Sequence, residues 1–537
     1  MLVACIAGSS IVFLDEFVVN VALPAIQRDL GGGLAGQQWV SNAYLLALGS
    51  LLLVGGSLGD IFGERRVFAL GVAGFGVMSL VCAVAPTLEA LIAARALQGV
   101  AGAVLVPSTL AVIVATFGET ERGRAIGTWT AWTGIATVAG PLIGGQIVDA
   151  ASWRWIFAIN LPLVVATLAL VLIAMPPPAT RTVRGRVDLA GAVLAALGLA
   201  GPVFALIEQP RLGWSHAAVL GPLAAGLLLL GAFAGWERRT ADPMMPLSLF
   251  RRRNFSAGNL QTLAMYGGMA SLFFFLTIFL QQVAGYEAFE AGLASLPTTV
   301  VLFVLSQRFG ALADRFGPRP FLIAGPLVAA AGMGLLLRVD AGLDYLTELL
   351  PALLVFSVGL SMTVAPLTAA VLAGVEERSA GVASGVNNAI ARVAELVAIA
   401  AIGVVVTAGF DAGIDDRLAE RELSPAAQRS VAAAKARSLG RPDLAGVPAG
   451  ERAAVDSAVT ASSVAAFHTG IAVGGGLVAL AGVTAAVALG APRRRVRARD
   501  CPGGVIVGHP ADEPSCVPSP SVGTRTTVGA SAREVET

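Results

Sequence analysis

Runs of about twenty apolar residues recur along nearly the whole chain, and no other feature constrains its fold so tightly. A helix of that length is what crosses a hydrocarbon layer about 30 Å thick. Fourteen runs can be read, in groups of six, two and six. The first six lie near 2–25, 38–58, 67–86, 88–112, 123–148 and 155–175, and two follow near 189–208 and 217–236. The last six lie near 255–283, 290–313, 320–337, 346–372, 382–408 and 464–490. Of 537 residues, 56% are hydrophobic and 13% charged, where soluble domains carry about 25% charged residues. A water-soluble fold would have nowhere to hide so much apolar surface, so the lipid bilayer is the expected solvent. The 36 basic and 35 acidic residues nearly cancel, which gives no hint of nucleic-acid binding.

Basic residues collect in cytoplasmic connections, and this tests the count of spans. With the N-terminus inside, the inner connections hold Arg65, Arg66, Arg122, Arg124, Arg181, Arg184, Arg186, Arg238, Arg239, Arg251, Arg252, Arg253, Arg315, Arg319 and Arg378. The short outer ones hold only Arg28, Arg154, Arg211 and Arg338. Fourteen spans with both termini in the cytoplasm, in the plasma membrane, keep this bias; an odd number would scramble it. The opening MLVACIAGSS lacks a basic start and a cleavage signal, so it reads as membrane helix rather than leader. Its abrupt beginning leads us to expect native residues before Met1. The outer connection at 411–463 is long and rich in Ala, Arg, Glu and Asp, and reads as a solvated decoration with room for short surface helices. The tail at 491–537 opens with RRRVRAR and becomes rich in Pro, Gly, Ser and Thr. Its start suits anionic headgroups, and the rest is expected to be disordered. Cys5, Cys82, Cys501 and Cys516 show neither metal-ligand nor redox spacing.

The connection after the second run reads GSLGDIFGERR at 56–66, and residues 310–320 read GALADRFGPRP. Gly, Leu, Asp, Phe, Gly and Arg recur at the same offsets, each time between the second and third helices of a six-helix set. Duplicated halves around a central site are a transporter architecture. The division expected is a first half over 1–175, a connecting segment with two extra helices over 176–253, a second half over 254–490, and the tail.

These residues resemble the major facilitator superfamily, and within it the fourteen-helix drug:proton antiporters. GSLGDIFGERR is similar to the family's loop motif through Gly56, Asp60, Gly63 and Arg65, and its second copy supplies Gly310, Asp314 and Gly317. LIAARALQG is similar to the helix 4 motif, with Arg95, Gln98 and Gly99. GPLIGG is similar to the antiporter motif of helix 5, with Gly140, Pro141, Gly144 and Gly145. FLDEFVVNVALPAI, with Asp15, Asn20 and Pro24, resembles the helix 1 motif of the fourteen-helix branch, and WRWIFAINLP resembles that branch as well. The similarity runs to about residue 490. It implies an all-α membrane fold of two six-helix bundles plus two extra helices, 14 in total, and a latch of the outward-facing state in the repeated loops. The chain departs from the pattern in places. Phe17 stands where Thr is usual, Glu16 adds a second acid, Pro318 and Pro320 stand where a basic residue is expected, and Glu395 replaces a small residue.

Asp15 lies near the middle of the first run, where a charge costs at least ~2.5–3.5 kcal/mol. Arg95 enters the fourth run from the other side, and at about 1.5 Å per residue the two lie within roughly 6 Å in depth. They are expected to meet, either as a permanent ion pair or as a contact that a proton or cationic substrate displaces. Glu16 points about 100° away, toward a different neighbour. Glu395 has Arg392 one turn below it, giving either a local pair or a second protonatable site. Asn20, Asn160, Asn387, Asn388, Gln261 and Gln281 are candidates to line the same cavity. Gly56 and Gly59 allow close helix approach and Gly63 a tight turn. Asp60 is expected to accept hydrogen bonds from Arg65 or a nearby helix N-terminus. Pro141 removes a backbone bond, and its neighbouring glycines leave a smooth face on which halves can rock.

Nothing suggests an enzyme. His216, His468 and His509 form no metal cluster, and there is no Walker pattern. No cofactor is expected; the proton gradient is the energy source. The function expected is a proton-coupled secondary transporter that exports small amphipathic molecules (drugs, antibiotics or secondary metabolites) by alternating access, with a monomer sufficient. The alternatives are a proton-coupled importer or facilitator of a nutrient or siderophore, against which GPLIGG argues, and a non-transporting membrane sensor or assembly partner. The last would not need buried carboxylates.

Overall fold

In the computed structural model the chain runs to and fro as long helices joined by short connections. It describes residues 1–117, 119–174, 187–240, 243–372, 380–490, 504–507 and 515–518; the side chains at 60, 110, 114–115, 119–124, 126–127, 130–131, 134, 137–138, 314, 369, 372, 380–381, 504–507 and 515–518 also fall outside the description. Two compact units result, Met1–Leu489 and Gly490–Thr537.

The first unit opens with α1 (Leu2–Leu30), α2 (Gly33–Phe62), α3 (Glu64–Ala83), α4 (Leu88–Thr116), α5 (Glu119–Ala150), the one-turn α6 (Trp155–Ala158) and α7 (Asn160–Ala174). An inserted pair follows, α8 (Leu189–Leu212) and α9 (Ala217–Glu237). The second set is α10 (Arg253–Gln282), α11 (Ala288–Phe316), α12 (Arg319–Leu335), α13 (Leu350–Leu372), α14 (Ala380–Leu418), α15 (Pro425–Arg437) and α16 (Ala449–Ala488). A π-helical turn, Tyr345–Leu349, leads into α13.

Local chemistry sets the ends. Thr87 accepts a hydrogen bond from the Ala90 amide at 3.2 Å and starts α4. Glu287 and Glu290 form a reciprocal capping box that starts α11. Gly63 and Gly317, with φ of 88° and 84°, end α2 and α11. They occupy the same position in the two copies of the repeated loop, where a left-handed residue reverses the chain most easily if it has no Cβ.

Thirteen helical stretches among the described residues are long and apolar enough to cross a membrane. The fourteenth expected span lies within α5, which runs 32 residues without a break through Pro141. It packs against α1 and α11. The outward faces of other helices are lipid-like: Ile173 is 85% and Leu228 75% exposed, which only an apolar solvent makes favourable.

The duplication read from the loops extends to the packing. In the first set α1 packs on α5 and α7, α2 on α4, and α3 on α4 and α7. In the second set α10 packs on α14 and α16, α11 on α13, and α12 on α13 and α16, position for position. The sets meet along two seams, α2 against α14 and α5 against α11. The inserted α8 touches both α2 and α14. We call the end of the bundle that holds Met1 the near end, and the end where α1 stops at Leu30 the far end.

One expectation needs correction. The far-end connection at 411–463 is not a solvated decoration. α14 and α16 extend into it, because its alanine-rich sequence suits helix as well as the apolar runs do. Ile414, Ala427 and Leu439 are fully buried within it. In the tail, residues Gly504–Val507 pair antiparallel with Ser515–Pro518, setting Ile506 against Cys516; the rest of the segment expected to be disordered lies outside the described residues. The β-branched run Val505–Val507 accounts for the strand. The basic RRRVRAR segment lies outside the described residues.

Candidate functional site

Asp15 and Arg95 meet at mid-depth. Arg95 Nη1 donates to Asp15 Oδ2 at 2.5 Å, and both side chains are enclosed, at 0% and 2% exposure. The other carboxylate oxygen accepts from Asn160 Nδ2 at 2.9 Å and from Gln98 Nε2 at 3.1 Å. Arg95 also donates from Nε to the Val40 carbonyl at 3.2 Å and from Nη1 to Gln98 Oε1 at 2.8 Å. Its guanidinium lies 4.2 Å from the centre of the Tyr44 ring. Ser79 Oγ accepts from Gln98 at 2.9 Å and from Asn160 at 3.3 Å. Five helices, α1, α2, α3, α4 and α7, therefore converge on one charge-balanced knot, and all five belong to the first set. A buried pair is stabilising only when its remaining bonds are made, and here they are made by amides and carbonyls at fixed distances.

Glu16, one residue on, faces the other way. Its Oε1 accepts from Arg392 Nη1 on α14 at 2.6 Å, across the meeting of the two sets. The same nitrogen donates to Glu395 Oε2 at 3.0 Å. Glu395 and Arg392 thus form the local pair the spacing allows, but Arg392 is shared with a carboxylate 376 residues away. Gly49 on α2 lets this happen: a Cβ there would stand 3.0 Å from the Arg392 Cβ. The three side chains keep between 9% and 20% exposure, unlike the sealed Asp15 pair. With both carboxylates ionised, the single guanidinium leaves the cluster one negative charge in excess. The Tyr44 hydroxyl, buried and without a hydrogen-bond partner among the described residues, lies within electrostatic reach of both clusters. Sequence reading did not single Tyr44 out.

The remaining expected residues are dispersed. Asn20 accepts from Ser41 at 3.4 Å within the first set. Asn387 donates to Asn259 and Thr262 within the second. Gln281 crosses between the sets, donating to the Val21 carbonyl at 2.9 Å. Gln261 donates to the Leu322 carbonyl and stays in the second set.

The antiporter-like segment divides its small residues between two partners. A Cβ on Gly140 or Gly144 would press on Phe17 and Val18 of α1, at 3.0 and 2.9 Å. Gly145 instead lies against Phe289 of α11, and the Pro141 carbonyl against Gly292. At the far end of the same seam Asp149 accepts from the Ala288 and Phe289 amides at 3.2 and 2.7 Å, a carboxylate on a helix N-terminus where the dipole favours it. On the other seam Gln38 Nε2 donates to the Ile399 carbonyl at 2.7 Å.

In the repeated loops, Arg65 reaches the Leu172 carbonyl of α7 at 3.4 Å. The Asp60 and Asp314 side chains, and with them the expected bond from Arg65 to Asp60, lie outside the described residues. Gly56 and Gly310 meet only ordinary contacts, at 3.7 Å from Pro107 and 3.6 Å from Ala365. Among the described residues no cluster of His, Cys, Asp and Glu has the arrangement of a metal site.

Comparison with known proteins bears on the chain as a whole. A model described as Major Facilitator Superfamily matches residues 5–399. A puromycin resistance protein of Streptomyces alboniger is 40% identical over 435 residues, 79% of this chain and 84% of that protein. A tetracenomycin C resistance and export protein of Streptomyces glaucescens is 35% identical over 495 residues, 91% of this chain and 90% of that one. Among solved structures, a bacterial homolog of the human lysosomal transporter Spinster, in an inward-facing conformation, superposes with a TM-score of 0.57 at 17% identity, covering 91% of this chain and 98% of that chain. That level of identity speaks to the fold alone.

Proposed function

The chain belongs to the Major Facilitator Superfamily and is a multi-pass membrane transporter rather than an enzyme, and we propose that it exports an antibiotic-like small molecule in exchange for protons. The export direction is supported by relatives named for resistance and export. The near end is then the cytoplasmic one, as the distribution of arginines argues.

One observation carries the coupling: Glu16 and Arg392 join the two halves at mid-depth. A proton can drive a conformational change only through a group whose surroundings differ between the two states. Among the described residues the hydrogen-bond partners of Asp15 all belong to one half, so rocking carries that knot along unchanged. Its role is to hold five helices as a rigid body. Glu16 and Glu395 share Arg392 across the moving boundary. A proton taken up there neutralises the excess charge and replaces a charge-assisted bond by a weaker one, which frees the halves to part. The Tyr44 hydroxyl, with no hydrogen-bond partner among the described residues, is available to a proton or to substrate.

The test uses inside-out vesicles energised with a proton gradient. Accumulation of a fluorescent lipophilic substrate is expected to be lost in Glu16→Gln while gradient-free exchange of the same substrate persists. Loss of both, in protein that remains folded, would place Glu16 in substrate binding instead. Wild-type accumulation unchanged by the substitution would remove Glu16 from the mechanism.

A further inference from the structure

Gln27, in the last turn of α1, ties four segments together. Its Oε1 accepts from Gln37 Nε2 of α2 at 2.6 Å and from Gln282 Nε2 of α10 at 2.6 Å. Its Nε2 donates to the Arg437 carbonyl, at the end of α15, at 3.2 Å. α1 and α2 belong to the first half, α10 and α15 to the second.

The chain that follows α15 is fastened to the second half on several sides. Arg441 Nε donates to the Val283 carbonyl at 3.0 Å. The Gly440 amide donates to Ser463 Oγ at 3.2 Å, and Ser463 Oγ donates back to the Gly440 carbonyl at 3.0 Å. Lys435 pairs with Asp415 of α14 at 2.5 Å. Toward the first half the attachment is of another kind. Besides the Gln27 bond, the Ala436 carbonyl is pressed against Gly33 at the start of α2, a glycine with φ of 56° whose Cα leaves no room for a Cβ.

Between these anchors stand Ser438 and Leu439, with φ of 50° and 52°. They are buried, at 5% and 0% exposure. Two consecutive left-handed residues with side chains are strained, and strain of this kind persists only where the surroundings impose it, typically at clamps and switches. Here the surroundings are the first half on one side and the second on the other.

We propose that residues 436–441 are the bolt of the far gate. Gln27 and Gly33 form its keeper on the first half, and the strain at Ser438 and Leu439 makes the closed position easy to leave. When the halves part, the bolt stays with the second half, Gln27 gives up Arg437 and Gln282, and the strained pair relaxes. The proposal takes its purpose from the alternating-access reading, but the opening can be followed without any substrate.

The experiment uses full-length purified protein in detergent with Gln38→Cys as a reporter. Gln38 is buried at 3% exposure and donates across the halves at the far end, so a thiol there becomes accessible when α2 leaves α14. Cys501 and Cys516 are replaced by serine, and protein lacking the reporter gives the blank for the buried Cys5 and Cys82. Labelling with a bulky hydrophilic maleimide is expected to be several-fold faster in Gln27→Ala and in Gly33→Ala. It is expected to be several-fold slower in Ser438→Gly, because glycine adopts the same backbone without strain. Equal labelling rates in all variants overturn the proposal, as does faster labelling in Ser438→Gly. Should Gln27→Ala fail to fold, Gly33→Ala and Ser438→Gly decide. A protein that gates as described but accumulates nothing in vesicles would count against the export reading and leave the bolt standing.

Discussion

Arg65 and Arg319 hold the same position in the two copies of the repeated loop, and each reaches the last turn of the final helix of its own half. Arg65 Nη2 donates to the Leu172 carbonyl of α7 at 3.4 Å, and Arg319 Nη2 to the Ala486 carbonyl of α16 at 2.8 Å. A cation at a helix C-terminus meets the negative end of the dipole and carbonyls that have no partner in the helix. The repeat therefore conserves a bond geometry as well as a string of letters. Replacing either arginine by alanine is expected to cost about 0.5–1 kcal/mol of stability. The two losses should add to within about 0.5 kcal/mol, because each stays within its own half. Thermal unfolding in detergent of the single and double variants checks this; strong non-additivity would mean the loops are coupled.

The adjacent acids Asp15 and Glu16 should behave as opposites. Asp15→Asn leaves the enclosed Arg95 without its counter-charge, and breaking such a pair costs about 3–5 kcal/mol. Glu16→Gln leaves Arg392 paired with Glu395, so its stability should change by less than about 1 kcal/mol, while coupled transport is lost. Unfolding curves for both variants beside their transport separate the two roles. Equal stability loss in the two would contradict the assignment.

Glycines of the two motifs should differ in their response to one added methyl group. At Gly145 a Cβ would stand 2.5 Å from the Phe289 Cα and 2.6 Å from its amide nitrogen, so Gly145→Ala must push α5 from α11. The expected cost is about 1–3 kcal/mol, with transport falling further than stability because the contact lies between the halves. At Gly56 the nearest atom is 3.7 Å away, an ordinary contact. Gly56→Ala should raise stability by up to about 1 kcal/mol through helix propensity. Transport and melting temperature of both variants, measured side by side, test the contrast.

The inserted helices are tied to the seam by Trp39, whose indole donates to Glu208 on α8 at 3.0 Å and whose ring lies 5.7 Å from Phe204. Trp39→Phe keeps the ring contact and drops the bond. The expected loss is about 1 kcal/mol; Glu208 retains Arg211 at 2.9 Å. Trp39→Ala should lose more, and unfolding of the two variants apportions bond and packing.

The spans, the repeat and the Asp15–Arg95 pair were legible in the sequence because each rests on distance along a helix. Length measures depth, and equal offsets mark equal positions. The Glu16–Arg392 bond was not legible, because which face of α14 meets α1 depends on how two whole bundles dock. Helix geometry turned Glu16 away from Asp15, and packing showed which of the two is sealed and which is shared. The far-end connection was misjudged for a related reason. Its alanines and charges suit a solvated loop or an extended helix equally, and the contacts of Leu439 and Arg441 decide between them. A usable signal was present in the paired glutamines, Gln37 with Gln38 and Gln281 with Gln282, at the far ends of α2 and α10. Polar amides stacked at one level of a membrane bundle imply bonds between its helices.

The inserted α8 rests on α2 and α14 together, while α5 and α11 meet each other directly. Duplication made the two flanks equivalent, and the insertion made them different. When α2 moves against α14, one of them must slide along α8, so one flank behaves like the spine of a book and the other like its open edge. A substitution and its mirror-image partner in the repeat should therefore not be interchangeable in this protein. The broken symmetry gives the rocking movement a preferred side.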